Sequence, residues 1–170
     1  MRSILPKPLW WALAAVLALR ILQLPAVSGN HNVGDYEVIA RHVSEGRPFS
    51  YDGVTPTAFR LPAYPLLLAA AFVLTGRPAS IWPALALGTL VSLCMVTVLF
   101  HAGKRLLPER WAAAAAVLAG LNPELAALDS GGWPEGLFAL EYALAALTAF
   151  RVLEAPQRTG RWAACGAILG

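Results

Sequence analysis

Residues 80–102, SIWPALALGTLVSLCMVTVLFHA, run without a single Asp, Glu, Lys or Arg. As a helix, such a run rises about 35 Å at roughly 1.5 Å per residue, more than the roughly 30 Å hydrocarbon core of a bilayer. In lipid the backbone must satisfy its own N–H and C=O groups, which a helix does within one segment. Further apolar runs occupy Pro8–Val27, Trp111–Leu128 with Pro123 near its end, and Pro134–Val152, and another opens at Trp162. Composition agrees. The 170 residues are 58% hydrophobic and 14% charged, with mean hydropathy +0.58, against roughly 45–50% apolar and about 25% charged in soluble domains. The expected fold is an all-α membrane protein, a multi-pass helical bundle forming one transmembrane domain over residues 1–170.

Its spans are expected at about 8–27, 80–102, 111–128, 134–152 and 162–170 onward. Basic flanks give the first run the look of a signal peptide, but it is long and lacks a clean small-x-small cleavage site, so it reads as a retained span. A chain that stops in mid-helix reads as the N-terminal portion of something longer. Cys94 and Cys165 both lie in apolar runs and set up neither a disulfide nor a metal pattern. No interleaving of basic and aromatic residues suggests nucleic acid. His31 and His42 read as solvated loop residues, with no second ligand at metal spacing beside His31.

The run Leu61–Thr75 is different: it is short, carries Pro62 and Pro65, and follows a lone arginine, Arg60. Counting charges decides how it sits. If it stays at or dips into the outer surface, Arg2, Lys7, Lys104, Arg105, Arg110, Arg151, Arg158 and Arg161 are all cytoplasmic. If it crosses, only Arg2, Lys7 and Arg77 remain inside. The positive-inside rule favours the first arrangement, so residues 61–75 are expected to be a re-entrant or interfacial helix. The N-terminus is then cytoplasmic.

That topology sends two loops to the outer boundary, 28–60 and LDSGGWPE, and with them the acids Asp35, Glu37, Glu45, Asp52, Glu124, Asp129 and Glu135. Within the first loop, Tyr36, Ile39, Ala40 and Val43 recur at i, i+3, i+4 and i+7, one apolar stripe on a helix. Such a juxtamembrane helix is expected to lie flat on the membrane.

These residues carry a resemblance. GDYEVIARHVSEGRPFSYDGVTPTAFRLPAYPLLLAA is similar to the first outer loop of C-type membrane glycosyltransferases that use polyprenyl-phosphate-linked sugars. That group holds the protein O-mannosyltransferases and the lipid A aminoarabinose transferase. Tyr36–Ala40, Gly46, Pro56, Thr57, Ala58, Arg60, Pro62, Tyr64 and Pro65 fit its pattern, and LNPELAALDSGGWPEGLFAL fits its second signature through Pro123 and Glu135. One departure stands out. The family's usual aspartate four residues before the tyrosine is Asn32 here, and Asn cannot take a proton from a hydroxyl. Either Asp35 assumes that role or the protein is inactive.

The resemblance implies inverting transfer of a sugar from a polyprenyl-phosphate donor to a lipid, glycan or protein acceptor, on the outer face of a bacterial inner membrane. A carboxylate base takes the acceptor's proton, and a guanidinium suits the anionic leaving phosphate. Asp35 and Glu135 are the implied catalytic acids, and Arg60, Tyr36, Asn32, Asp129 and Tyr64 the implied substrate contacts. Glu135 or Asp129 would orient the acceptor or hold a divalent cation; no other cofactor is implied. A small transporter, or a non-catalytic membrane scaffold, would share the composition. The transporter would be favoured by inverted repeats, and the sequence has none in view.

Overall fold

Proline and glycine cut the apolar sequence into helices. In the computed structural model, which describes residues 6–28, 34–78, 80–125, 134–154, 156–157 and 159–169, the described residues form helices and no strand. They are α1 Lys7–Ser28, α2 Asp35–Ser44, α3 Ala63–Thr75, α4 Trp82–Gly103, α5 Glu109–Gly120, α6 Glu135–Glu154 and α7 Thr159–Leu169. Two of them, α4 and α6, are long and apolar enough to cross a membrane. α3 has 13 residues and reaches about 20 Å, short of a bilayer core. Pro65 is tolerated in its first turn, where no N–H is needed. The helix ends at Gly76, whose φ of 63° is the left-handed conformation that closes helices.

α4 lies against α1, α3, α5 and α6. One apolar cluster joins Leu9, Ala12 and Val16 of α1 to Val96 and Phe100 of α4 and to Ala112, Ala113 and Ala116 of α5. The alanines let backbones approach closely, the usual device where lipid gives helices no hydrophobic reason to associate. Inside α1, buried Arg20 donates to Ser92 Oγ of α4 at 2.5 Å. The hydroxyls of Thr89, Thr97 and Thr148 donate to carbonyls four residues back, which satisfies them without a neighbouring helix.

A second cluster brings Ala40 of α2, Tyr64, Leu68, Ala69 and Phe72 of α3 and Ala84 of α4 together, with Tyr36, Val43, Leu87 and Leu137 packed on it. This corrects the expected placement of α2. Ile39 and Ala40 are fully buried, so the stripe expected to face lipid is covered by protein, because α3 offers it a complementary apolar face.

The expected helix over 111–128 also takes another form. α5 ends at Gly120. Asn122 Oδ1 then accepts from the N–H groups of Glu124 (2.9 Å) and Leu125 (3.3 Å). Asn as N-cap with Pro123 at the first helical position starts a new turn rather than finishing an old one. Residues 126–133 lie outside the described residues.

Gly120 is where the first cluster is tightest. A Cβ there would stand 2.5 Å from Val96 Cγ2 and 2.6 Å from Val16 Cγ2. Both valines are fully buried and stiff about χ1. Gly120→Ala should therefore cost about 1–3 kcal/mol, as overpacking does, read as a lowered unfolding midpoint in detergent. Val96→Ala in the same chain should recover part of the loss. Gly166→Ala, with open space around its added carbon, should cost nothing; an equal loss there would refute the packing argument.

Candidate functional site

The loop after α2 is folded back by its own polar atoms. His42 Nδ1 lies 2.9 Å from the Ser50 carbonyl, and the Arg47 N–H donates to the His42 carbonyl at 2.9 Å. His42 is therefore a latch between helix and loop, not the solvated residue expected from sequence. Ser50 is fully buried beneath this turn. Asp52 Oδ1 accepts from the N–H groups of Val54 (2.9 Å) and Thr55 (2.7 Å), an Asx turn completed by Gly53 at φ 78°.

The two backbone N–H groups hold the Asp52 carboxyl at a pKa of about 2, down from 3.8. A lowered pKa means the charged form stabilises the loop above pH 3.8, and the contribution disappears as pH falls through about 2. The amide resonances of Val54 and Thr55 should shift in that window, and Asp52→Ala should show the same shifts at neutral pH. Amides insensitive to both changes would rule out the turn's role. Asp52 thus shapes the loop.

The refolded loop delivers Arg60 to the start of α2. Arg60 Nη2 donates to Asp35 Oδ2 at 2.7 Å, with side chains 30% and 55% exposed respectively. The guanidinium carbon sits 5.0 Å from the centroid of Tyr36 and 5.0 Å from that of Phe59, both cation–π distances. Tyr36 in turn meets Tyr64 edge-to-face at 5.7 Å. The bond to Asp35 raises the Arg60 pKa above its ordinary value, and the nearby Tyr51 phenol raises it further. Yet among the described residues neither Tyr51 Oη nor Arg60 Nε, both buried, completes a hydrogen bond of good geometry.

Four residues named from the sequence are therefore joined in a chain of contacts, Asp35 to Arg60, Arg60 to Tyr36 and Tyr36 to Tyr64. Glu135 opens α6, where a negative charge suits the helix dipole, and its buried Oε2 has no hydrogen-bond partner among the described residues. Leu137, in the same turn, packs on the cluster of α2, α3 and α4 that includes Tyr64. Asn32 and Asp129 lie outside the described residues. Among the described residues no three of His, Cys, Asp and Glu converge as a metal would require. Glu37, grouped with the outer acids from sequence, is 4% exposed and bonded to Arg41 at 3.2 Å within α2.

Sequence reading missed Tyr51 and Phe59. Phe59 precedes Arg60 directly, but nothing in spacing alone says that its ring will turn to the guanidinium. Tyr51 comes close only through the Asp52 turn, and Tyr51-Asp52-Gly53 was the available signal.

Arranged this way, a cation flanked by aromatic rings stands beside a partly exposed carboxylate at the head of a short apolar helix. It can hold an anionic group while the carboxylate faces a second, hydroxyl-bearing molecule. The family model for dolichyl-phosphate-mannose-protein mannosyltransferase matches residues 56–170, a stretch that includes Arg60, Tyr64 and Glu135 and begins after α2. No curated protein and no solved structure matches the chain. With two apolar helices of spanning length and that match over most of its residues, the chain belongs to the dolichyl-phosphate-mannose-protein mannosyltransferase family, membrane glycosyltransferases that draw on polyprenyl-phosphate sugar donors.

Proposed function

We propose that this chain takes part in moving a sugar from a polyprenyl-phosphate donor to a lipid, glycan or protein acceptor at the outer face of a bacterial plasma membrane. It does so as a multi-pass bundle with a cytoplasmic N-terminus. The observation that carries this reading is the 2.7 Å contact of Arg60 with Asp35, with the guanidinium between Tyr36 and Phe59. Arg60 holds the donor phosphate, helped by the open donors Arg60 Nε and Tyr51 Oη. The short α3 lies at the surface or dips into it, where the polyprenyl chain enters lipid.

Asp35 takes the proton of the acceptor hydroxyl as its oxygen bonds to the anomeric carbon. The bond from that carbon to the phosphate oxygen breaks, and the phosphate leaves with the electron pair, its charge facing Arg60. Attack from the opposite face inverts the sugar. Glu135 or Asp129 orients the acceptor, Asn32 and Tyr64 line the site, and Tyr36 keeps the guanidinium in place.

Topology tests the shared outer site. In a chain with Cys94 and Cys165 replaced by Ala, single cysteines at Thr55 and Glu124 should react with an impermeant maleimide in intact cells. One at Gln157 should react only after the membrane is opened. All three positions are exposed. Labelling of the Glu124 and Gln157 positions from the same side would break the arrangement, since the two loop regions could not then share a face.

A further inference from the structure

The far end of the bundle carries its own cationic cavity. Arg151 lies sixteen residues after Glu135 on α6, about 24 Å along the axis, and so well away from Asp35 and Arg60. His101, at the close of α4, has Lys104, Arg105 and Arg151 as electrostatic neighbours. Two of these cations are engaged: Arg105 with Glu154, and Lys104 with Glu109 at 4.0 Å. Arg151 and Arg161 form no ion pair among the described residues. They are linked instead by a bond from Arg161 Nη1 to the Arg151 carbonyl.

Between them opens a cavity of about 320 Å3 lined by Thr148, Arg151, Gly160, Arg161 and Ala164. The Thr148 hydroxyl is already given to the carbonyls of Leu144 and Ala145, so the cavity's polar capacity comes from the two guanidiniums and the first turn of α7. N–H groups in that turn have no intrahelical acceptor, and the helix dipole favours an anion there. Gly160 adds no side chain, and a Cβ on it would meet nothing within 4 Å, so that turn can be approached closely. Glu154, an electrostatic neighbour of both arginines, is held by Arg105.

We propose that the Arg151–Arg161 cavity is a second anion site, distinct from the Arg60 region, that takes a phosphate group. Two planar forks and a helix N-terminus match the tetrahedral oxygens of a phosphate mono- or diester. On a membrane protein that group can come from an anionic phospholipid or from a soluble phosphate. The site uses neither Asp35 nor Arg60, so its failure would leave the transfer reading untouched.

The test is phosphatidylglycerol retained by the full chain. Protein is taken from discs of phosphatidylcholine doped with phosphatidylglycerol, and bound lipid is counted by native mass spectrometry. Arg151→Gln and Arg161→Gln should each reduce retention roughly fivefold, the scale for one basic residue at an anionic surface. Arg151→Lys, which keeps the charge and the fold but loses the fork, should fall between. Arg110→Gln removes the same charge from a side chain stacked on Trp111, outside the cavity, and should leave retention unchanged. In a second arm, inorganic phosphate is titrated into delipidated protein in detergent. Binding that the double variant abolishes would keep the site and assign it to a soluble phosphate. Two results would overturn the proposal. One is a loss in Arg110→Gln equal to that in the cavity variants, which would mean diffuse attraction. The other is full lipid retention in the double variant together with no binding of inorganic phosphate by the parent, which would mean that the arginines only cap the end of α6.

Discussion

Asp35→Asn should slow sugar transfer by roughly 100- to 10,000-fold, the range for removing a general base, while donor binding stays equal or becomes slightly tighter. The substitution keeps shape and hydrogen bonding but removes the charge that accepts the proton. Donor affinity should hold because Asp35 sits on Arg60 at 2.7 Å, where its negative charge competes with a phosphate for the same guanidinium. Removing that charge relieves the competition. Transfer and donor binding are measured separately on the protein in nanodiscs, with a polyprenyl-phosphate mannose donor and Asp35→Glu as the charge-keeping control. A loss that appears in donor binding, with transfer at saturating donor intact, would make Asp35 a positioning residue for Arg60 and remove it from the proton's path.

Much of this region could be read before any coordinates, because its signals are local. The stripe Tyr36, Ile39, Ala40, Val43 has helical period, Asp35 and Glu37 favour the N-terminal turn, and Arg41 and His42 favour the last. α2 forms over those residues. The run 80–102 likewise becomes α4, started by Pro83 in its first turn. The limits of α3 are set by Pro62, Pro65 and Gly76, each of which restricts or frees the backbone in a known way.

What packs on those faces was less legible. An apolar stripe says that a face will be covered but not by what, and lipid and α3 are equally apolar partners. The turn at Asn122 and Pro123 was open to reading, since Asn before Pro is a helix start, yet the continuous apolar sequence around it suggested one long span. Glu37 shows the same limit for charge. Its neighbours in sequence suggest an exposed acid, while its position on the inner side of α2 makes it the partner of Arg41. The pairing of Arg60 with Asp35 joins positions 25 residues apart, and it depends on the fold of a loop whose His42 and Asp52 contacts no periodicity announces.

Arg60→Ala should weaken donor-lipid binding roughly 10- to 100-fold. Truncating one partner of a fully desolvated charge pair costs more than that, but the Arg60 side chain keeps 30% of its surface exposed, so solvent screens part of the interaction. Arg60→Lys should fall between parent and Ala. A lysine keeps the charge but presents a point rather than a fork, and it lacks the planar face that rests against Tyr36 and Phe59. Because both arginine and phosphate are charged, the Arg60→Ala defect should shrink as salt is added. A defect arising from lost packing would not. Donor binding is measured in nanodiscs across a salt series, beside a neutral polyprenol that lacks the phosphate. Arg60→Ala binding the donor as tightly as the parent, or losing donor and polyprenol equally, would show that the guanidinium meets no phosphate. Its contact with Asp35 would then do no more than fasten the loop to α2.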